Sequence, residues 1–418
     1  MSKNSFAFVL TIFIIGVLAA CTNTPPANPT ATIPPTLEQS PTDIPTDEPP
    51  DPATETPTNQ PPTATHTPTP THTPVPTETP IPTIPIGNVE LPGAEVAAGF
   101  SLRKIIEIDR PIGLAFKPNG DFYVSNQAGQ IRQYQPIAGQ PGGFEFTNQV
   151  TGFQIPAGFA FHPATGDLYV SSTGKITVLT DSDNDGFEDS AKSIVNNIPF
   201  GLHQNNVPAF GPDGMLYVGV GSTCDVCDEA DLRSATIMRF DPDTGAGDIY
   251  ASGLRNPFGI TFHPESGELF ATDNGRDDLG DNDPAEELNH IVEGADYGWP
   301  NCWGELEGAC AGTTQGIALF TAHASVNNIL FYEGSAFPAE YHHNLLALNF
   351  GSFLVQLDTG IRRVQLTESG DSYASETEWL LKMPQGSFPL GMAEGPDGAI
   401  YFGDYISGGI WRLSYGDL

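Results

Sequence analysis

An all-β, six-bladed β-propeller is the fold this sequence predicts. Three observations carry that reading. A short phrase recurs along the body, its copies are spaced by about one blade, and the two ends of the body carry strands that can pair. The phrase reads GLAFKPNGDFYVSN (113–126), GFAFHPATGDLYVSS (158–172), PAFGPDGMLYVGVG (208–221), GITFHPESGELFATD (259–273) and GMAEGPDGAIYFGD (391–404). In each copy a short apolar strand enters a turn built on Pro and Gly, and an alternating strand of the Leu-Tyr-Val kind follows. Proline and glycine fix the turn, and alternation marks a half-buried strand. Successive copies start about 45–52 residues apart, which suits one propeller blade. The long gap before the last copy holds a degenerate one, ILFYEGSAFPAEYHHNLLALNFGSFLVQLD (329–358), which makes six.

The ends of the body support a closed ring. LRKIIEI (102–108) and GGIWRLSYG (408–416) can pair and remove the free edges of an open sheet. Helical periodicity is weak throughout; only DPAEELNHIV (283–292) is compatible with a short helix.

Residues 1–21 read as a lipoprotein signal peptide. Lys3 gives a short positive region, and the apolar stretch 6–20 is too short for a comfortable membrane span. The stretch ends Leu18-Ala19-Ala20-Cys21, which resembles the bacterial lipobox and implies lipidation of Cys21. Residues 22–92 are Pro/Thr-rich; proline at this density favours polyproline II and builds no core, so they form a disordered stalk. The propeller is then 93–418, held outside the cytoplasm at a bacterial cell surface and touching the membrane through its lipid alone.

The chain has 51 acidic and 16 basic residues, a net charge of −35, which repels phosphate backbones and excludes nucleic-acid binding. Apart from Cys21 there are four cysteines. In an exported chain an even number suggests disulfides, here the sequence-local pairs Cys224–Cys227 and Cys302–Cys310. A Cys₄ zinc site is the alternative, because Cys224-x-x-Cys227 also has ligand spacing. In DSDNDGFEDSAK (181–192), Asp181, Asp183, Asp185 and Asp189 with the Phe187 carbonyl follow the start of an EF-hand-type loop, Gly186 allowing the sharp turn. This makes them candidate Ca²⁺ ligands, although Lys192 stands where a bidentate Glu belongs. The bland reading is a solvated acidic connector.

GLRNPFGITFHPESGELFATDNGRDDLG with EELNHIVEGADYGWPN (253–301), and GLHQNNVPAFGPDGMLYVGVGSTCDVC (201–227), resemble the PQQ-dependent glucose/sorbosone dehydrogenases. The resemblance spans essentially the whole body. It implies a six-bladed propeller that oxidises a sugar with PQQ and Ca²⁺ and passes electrons to an acceptor it does not identify. By the same resemblance His203 is the general base, and Arg255 the residue facing the quinone and reacting centre. His203, Gln204, Arg255 and Asn256 are all cofactor contacts, and Gly275 and Arg276 offer main-chain carbonyls to the cofactor's Ca²⁺. Two departures stand out. Leu202 occupies a place where the family usually has an acid, and 349–356 and 385–395 lack the basic residues that meet the cofactor's carboxylates. A surface-anchored propeller that binds glycans or proteins without catalysis, and a metal-dependent lactonase, are the alternatives.

Overall fold

Turn chemistry decides the strand layout. Proline presets φ at about −65°, and a glycine then takes the positive φ that other residues resist. Gly120, Gly166, Gly214, Gly267 and Gly398, one in each copy of the phrase, have φ of 94°, 79°, 79°, 73° and 72°. Each turn joins the first two strands of a four-stranded antiparallel sheet. The structure is a computed structural model and describes residues 89–416.

Six such blades follow in chain order. Blade one contains Pro111–Phe116, Phe122–Asn126, Gln130–Pro136 and Phe144–Thr151. Blade two contains Gly158–Phe161, Leu168–Ser172, Lys175–Thr180 and Ser190–Asn196. Blade three contains Asn205–Phe210, Leu216–Val220, Thr236–Phe240 and Gly247–Ser252. Blade four contains Pro257–Phe262, Leu269–Asp273, Glu286–Ile291 and Ala318–Phe320; blade five contains Val326–Phe331, Leu345–Asn349, Thr359–Ser369 and Ser372–Met383. Blade six is composite: Pro389–Glu394, Ile400–Asp404 and Ile410–Tyr415 are completed by Phe100–Ile106 from the other end of the chain. The register runs from Phe100↔Tyr415 to Ile106↔Ile410, which is the closure the sequence anticipates. Glu95–Val96 adds a short edge to blade five, and Val89 and Leu91 pack onto the same core.

Two expectations change. The stretch 283–292 forms no helix; Glu286–Ile291 is the third strand of blade four, paired on both sides. Leu288 points into the apolar layer toward blade five and Ile291 into the layer toward blade three, so packing on two faces overrides a short local pattern. Among the described residues, helical structure is limited to a 3₁₀ turn at Ala339–Tyr341. The second strands are also not half-buried: all five residues of each are buried in every blade. Blades pack face to face, so each second strand has a neighbour on both sides. In blade five Leu345 and Ala347 face blade four, and Leu346 and Leu348 face blade six.

Close packing near the axis explains the glycine that opens four of the phrases. A Cβ on Gly158 would lie 2.9 Å from the Val207 Cα of the next blade, and one on Gly259 2.9 Å from the Asn328 Cα. On Gly391 it would lie 2.1 Å from the Ile112 carbonyl oxygen. Inside this ring the first strands leave a cavity of about 510 Å³, with Lys117, Glu333 and Glu394 at the turned end.

Gly391→Ala should therefore destabilise the protein by about 3 kcal/mol through overpacking against fixed backbone. Gly370→Asn, at φ 65° with open space around it, should cost less than about 1 kcal/mol, because asparagine tolerates that conformation. Denaturant unfolding of the two variants checks this; equal losses would contradict it.

Candidate active site

Strand polarity decides which loops meet. First strands run toward the Pro/Gly turns, so connections between blades, and those between second and third strands, gather at the opposite end, here called the mouth. His203 lies on the connection from blade two to blade three, and Arg255 and Asn256 on the next one. A Cβ on Gly221 would sit 2.4 Å from His203 Cβ and 2.9 Å from Asn256 Oδ1, so the missing side chain lets these two residues adjoin.

The hydrogen bonds of His203 fix its tautomer. Its Nδ1 is 3.0 Å from Ser222 Oγ, and that hydroxyl donates to the Cys224 carbonyl at 2.6 Å. A carbonyl only accepts, so Ser222 has spent its single hydrogen and accepts from the ring. The proton therefore sits on Nδ1 and the lone pair on Nε2. Burial, reinforced by the Arg255 guanidinium, lowers His203 from 6.5 to about 3, so the ring is neutral at pH 7.

Arg255 is buried and held by four of its five N–H groups. Nη2 donates to Asp225 Oδ1 at 2.7 Å and to Asp277 Oδ2 at 2.9 Å, Nη1 to the Asn274 carbonyl at 3.1 Å, and Nε to the Asp225 carbonyl at 3.2 Å. The amides of Arg255 and Asn256 both donate to the Asp273 carboxylate, at 2.9 and 2.7 Å. Asn256 Oδ1 accepts from Asn206 Nδ2 at 2.9 Å. Gln204 accepts from Thr173 Oγ1 and donates to the Ile155 carbonyl at 3.3 Å.

Beneath Arg255 the site is rich in buried acid. Glu286 accepts from the Gly275 amide, and from the Ser325 amide at 3.3 Å. Burial raises Asp273 to about 7, and Glu286 and Glu287 to about 8 each. Asp273 and Glu287 line a small enclosed cavity with Gly275, Arg276, Trp299 and Trp303. A divalent cation there would relieve the mutual repulsion of Asp273 and Glu287, although the carboxylate oxygens of Asp273, Glu286 and Glu287 do not all gather within 4.8 Å of one another. The Arg276 side chain clasps Asp278 at 2.6 and 2.8 Å and lies 4.5 Å from the Trp303 ring centre, leaving its carbonyl as the group for a metal. The mouth segments 349–356 and 385–395 of blades five and six carry no basic residue; Arg110 lies between blades six and one at the same end. It donates to Gln127 Oε1 at 2.6 Å.

His203, Gln204, Arg255, Asn256, Gly275 and Arg276 thus converge at one end. Asp181, Asp183, Asp185, Phe187 and Asp189 lie at the other, between the third and fourth strands of blade two. The first three bring their carboxylate oxygens within 4.8 Å of one another and accept from amides of their own loop. Asp189 is exposed and outside that cluster, while the Phe187 ring stacks on Tyr123. Both expected disulfides form, Cys224–Cys227 and Cys302–Cys310, and they replace the zinc alternative. Cys21 lies outside the described residues. Ser222, Asp225, Asp273 and Glu286 escaped the sequence reading, because the groups they meet are brought to them only by folding.

Fold and site together define a six-bladed propeller with a neutral histidine beside a carboxylate-bound arginine at its mouth. The glucose/sorbosone dehydrogenase family model matches residues 108–411, and the chain belongs to that family. It is 28% identical to an uncharacterized protein of Borreliella burgdorferi over 281 residues, 59% of this chain and 73% of that protein. It is 24% identical to quinoprotein glucose dehydrogenase B of Acinetobacter calcoaceticus over 261 residues, 48% of this chain and about half (53%) of that enzyme. Among solved structures it resembles an AA12 carbohydrate-active enzyme of Trichoderma reesei (TM-score 0.67, 18% identity, 78% of this chain and 98% of that one). It also resembles the PQQ domain of a Coprinopsis cinerea pyranose dehydrogenase (0.66, 17%, 79% and 100%) and the soluble aldose sugar dehydrogenase of Escherichia coli (0.59, 18%, 76% and 99%). At these identities the structures establish the shared fold.

The raised carboxylates have a consequence for stability. A carboxyl whose folded pKa lies above its unfolded value stabilises the fold fully below the unfolded value, and loses that contribution as pH rises through the folded one. In chelator, stability should therefore fall between about pH 4 and pH 8 as Asp273, Glu286 and Glu287 ionise. Millimolar Ca²⁺ should restore it most near pH 8. Melting curves across that range check this; an equal effect of Ca²⁺ at pH 5 and pH 8 would contradict it.

Proposed function

We propose that this protein is a PQQ- and Ca²⁺-dependent dehydrogenase that oxidises a hydroxyl of a sugar, with His203 as general base. The observation that carries the proposal is the His203–Ser222–Cys224 chain, which leaves a neutral ring with Nε2 free to accept a proton. His203 Nε2 takes the proton from the sugar hydroxyl oxygen while hydride leaves the carbon that bears that oxygen. Asn256, on the far side of Gly221, and Gln204, adjacent in sequence, position the reacting groups. Arg255 supplies fixed positive charge, its fork held by Asp225 and Asp277 so that it cannot swing away. When bound, PQQ supplies the hydride acceptor and Ca²⁺ polarises it. Arg255 and Asn256 would hold the cofactor, and Asp273, Glu287 and the Gly275 and Arg276 carbonyls the metal.

A second reading has its own support. Two aspartates already claim Arg255, and a mouth so acidic suits a binding propeller that takes neutral glycans without a cofactor. Reduction of an acceptor dye by purified protein with PQQ and Ca²⁺, over a panel of sugars, separates the two; no reduction with any sugar favours the second. For the enzyme, His203→Ala should lower kcat by about 10²–10⁴-fold with little change in PQQ affinity. Ser222→Ala should lower kcat by on the order of 10-fold, with Ser222→Thr restoring most of it. A Ser222→Ala loss in cofactor affinity alone would contradict the assigned role.

The lipobox ending at Cys21 and the stalk behind it support a surface-anchored protein. Cys21→Ser should move it from the membrane to the soluble fraction; unchanged fractionation and mass would contradict anchoring.

A further inference from the structure

We propose that the mouth contains, beside His203, an apolar subsite for a substituent carried by the sugar, so that the preferred substrate is an amphipathic sugar derivative. The proposal rests on the dehydrogenase reading above. It starts from an aromatic wall that begins at the site itself. Phe258 follows Asn256 by two residues, and Ile155 gives its carbonyl to Gln204 Nε2 at 3.3 Å. Both side chains pack into one apolar cluster with Phe350, Leu390 and Tyr405, drawn from blades five and six. The wall then continues outward. Phe350 lies 5.3 Å from Phe388 between ring centres, and Phe388 lies 4.6 Å from Phe353.

At its outer end the wall meets water. Phe353 is 47% exposed and the adjoining Leu354 is 76% exposed, both on the mouth connection of blade five. Ile406, on the corresponding connection of blade six, is 42% exposed. A single exposed leucine is ordinary, but an exposed apolar run continuous with a buried aromatic wall marks a binding surface. On the other flank of His203, blades three and four present Asp225, Asp277 and Asp278. One side of the mouth therefore suits hydroxyls and the other suits hydrocarbon. Because the wall starts beside Asn256 and Gln204, its fitting occupant is the apolar part of the molecule whose hydroxyl meets His203.

The test compares 6-O-octyl-glucose with 6-O-methyl-glucose, both of which keep the anomeric hydroxyl free. Affinity is measured by calorimetry and turnover by dye reduction, using the full protein with PQQ and Ca²⁺. Each fully buried methylene is worth about a fourfold gain in affinity, so partial burial of the chain should make the octyl sugar bind on the order of 100-fold tighter. In a Phe353→Ser/Leu354→Ser double variant the ratio should fall to within a few-fold of one. Leu354→Ser alone, at a highly exposed position, should lower it part of the way if the double variant melts early. Ile249→Ser, an exposed apolar residue on the outer strand of blade three, should leave the ratio unchanged. Equal affinity for both sugars, or a ratio indifferent to Phe353 and Leu354, overturns the proposal. So does sedimentation with phosphatidylcholine vesicles that needs Phe353 and Leu354 while the two sugars bind alike, since the occupant is then a lipid surface. Tighter octyl binding without turnover of either sugar supports the subsite and removes the dehydrogenase reading. Equal turnover and affinity for both sugars does the reverse.

Discussion

Six sheets bring their loops to a common mouth only if the ring shuts, and here it shuts through one strand. Phe100–Ile106 fills the outer place of a blade whose other three strands come from the far end of the chain. Each of the six interfaces between neighbouring blades then carries its own apolar cluster. No blade could bury both faces alone, so the structure is cooperative in the way of a closed repeat array. The glycines near the axis set how tightly the blades approach, and that approach sets how far apart His203, Arg255 and Phe350 stand at the mouth.

The arginine at the mouth shows what such rigidity is used for. A buried guanidinium held by two carboxylates adds little net stability, because desolvation offsets most of the attraction. It does fix geometry. Asp225 lies in the loop closed by Cys224–Cys227, and its carbonyl also accepts from Trp299 Nε1 at 3.3 Å. Asp277 sits on the following mouth loop, and its other oxygen meets His323 Nδ1 at 3.2 Å. One side chain therefore ties loops of blades three, four and five into a single frame around His203.

Much of the fold was legible in the sequence, because its signals are local. A proline and a glycine announce each turn wherever the blade ends up, and short loops between cysteines announce their own pairing. The two-sided burial of the second strands was not legible. Leu345-Leu346-Ala347-Leu348 breaks alternation only because blades lie on both sides. The strand at Glu286–Ile291 was missed for the same reason, since its partners lie elsewhere in the chain. At the site, His203 and Arg255 were found through family resemblance; their residue types alone would equally describe turn residues. Ser222 and Asp225 gave no such signal, because their roles depend on a carbonyl and a guanidinium brought to them by folding. The repeated opening glycine was visible as a letter, and its reason appears only where Gly391 meets Ile112.

The route of the chain into the ring also bears on mechanical load. From its N-terminal side the described chain first touches the closing strand itself, through a Val89–Leu102 bridge, then pairs Glu95 and Val96 with Lys382 and Leu381 of blade five, and only then enters blade six at Phe100. A pull from that side meets an isolated bridge and then a two-residue strand before it loads the main pairing of the closing strand. Beyond it the force must peel the pairings from Phe100↔Tyr415 onward, with the Phe100 ring set edge-on against Phe337 at 4.7 Å. The two weak attachments and the strong one act in series, so a modest tug can be absorbed at Val89 and at blade five while the ring, and the spacing of the mouth, stays intact.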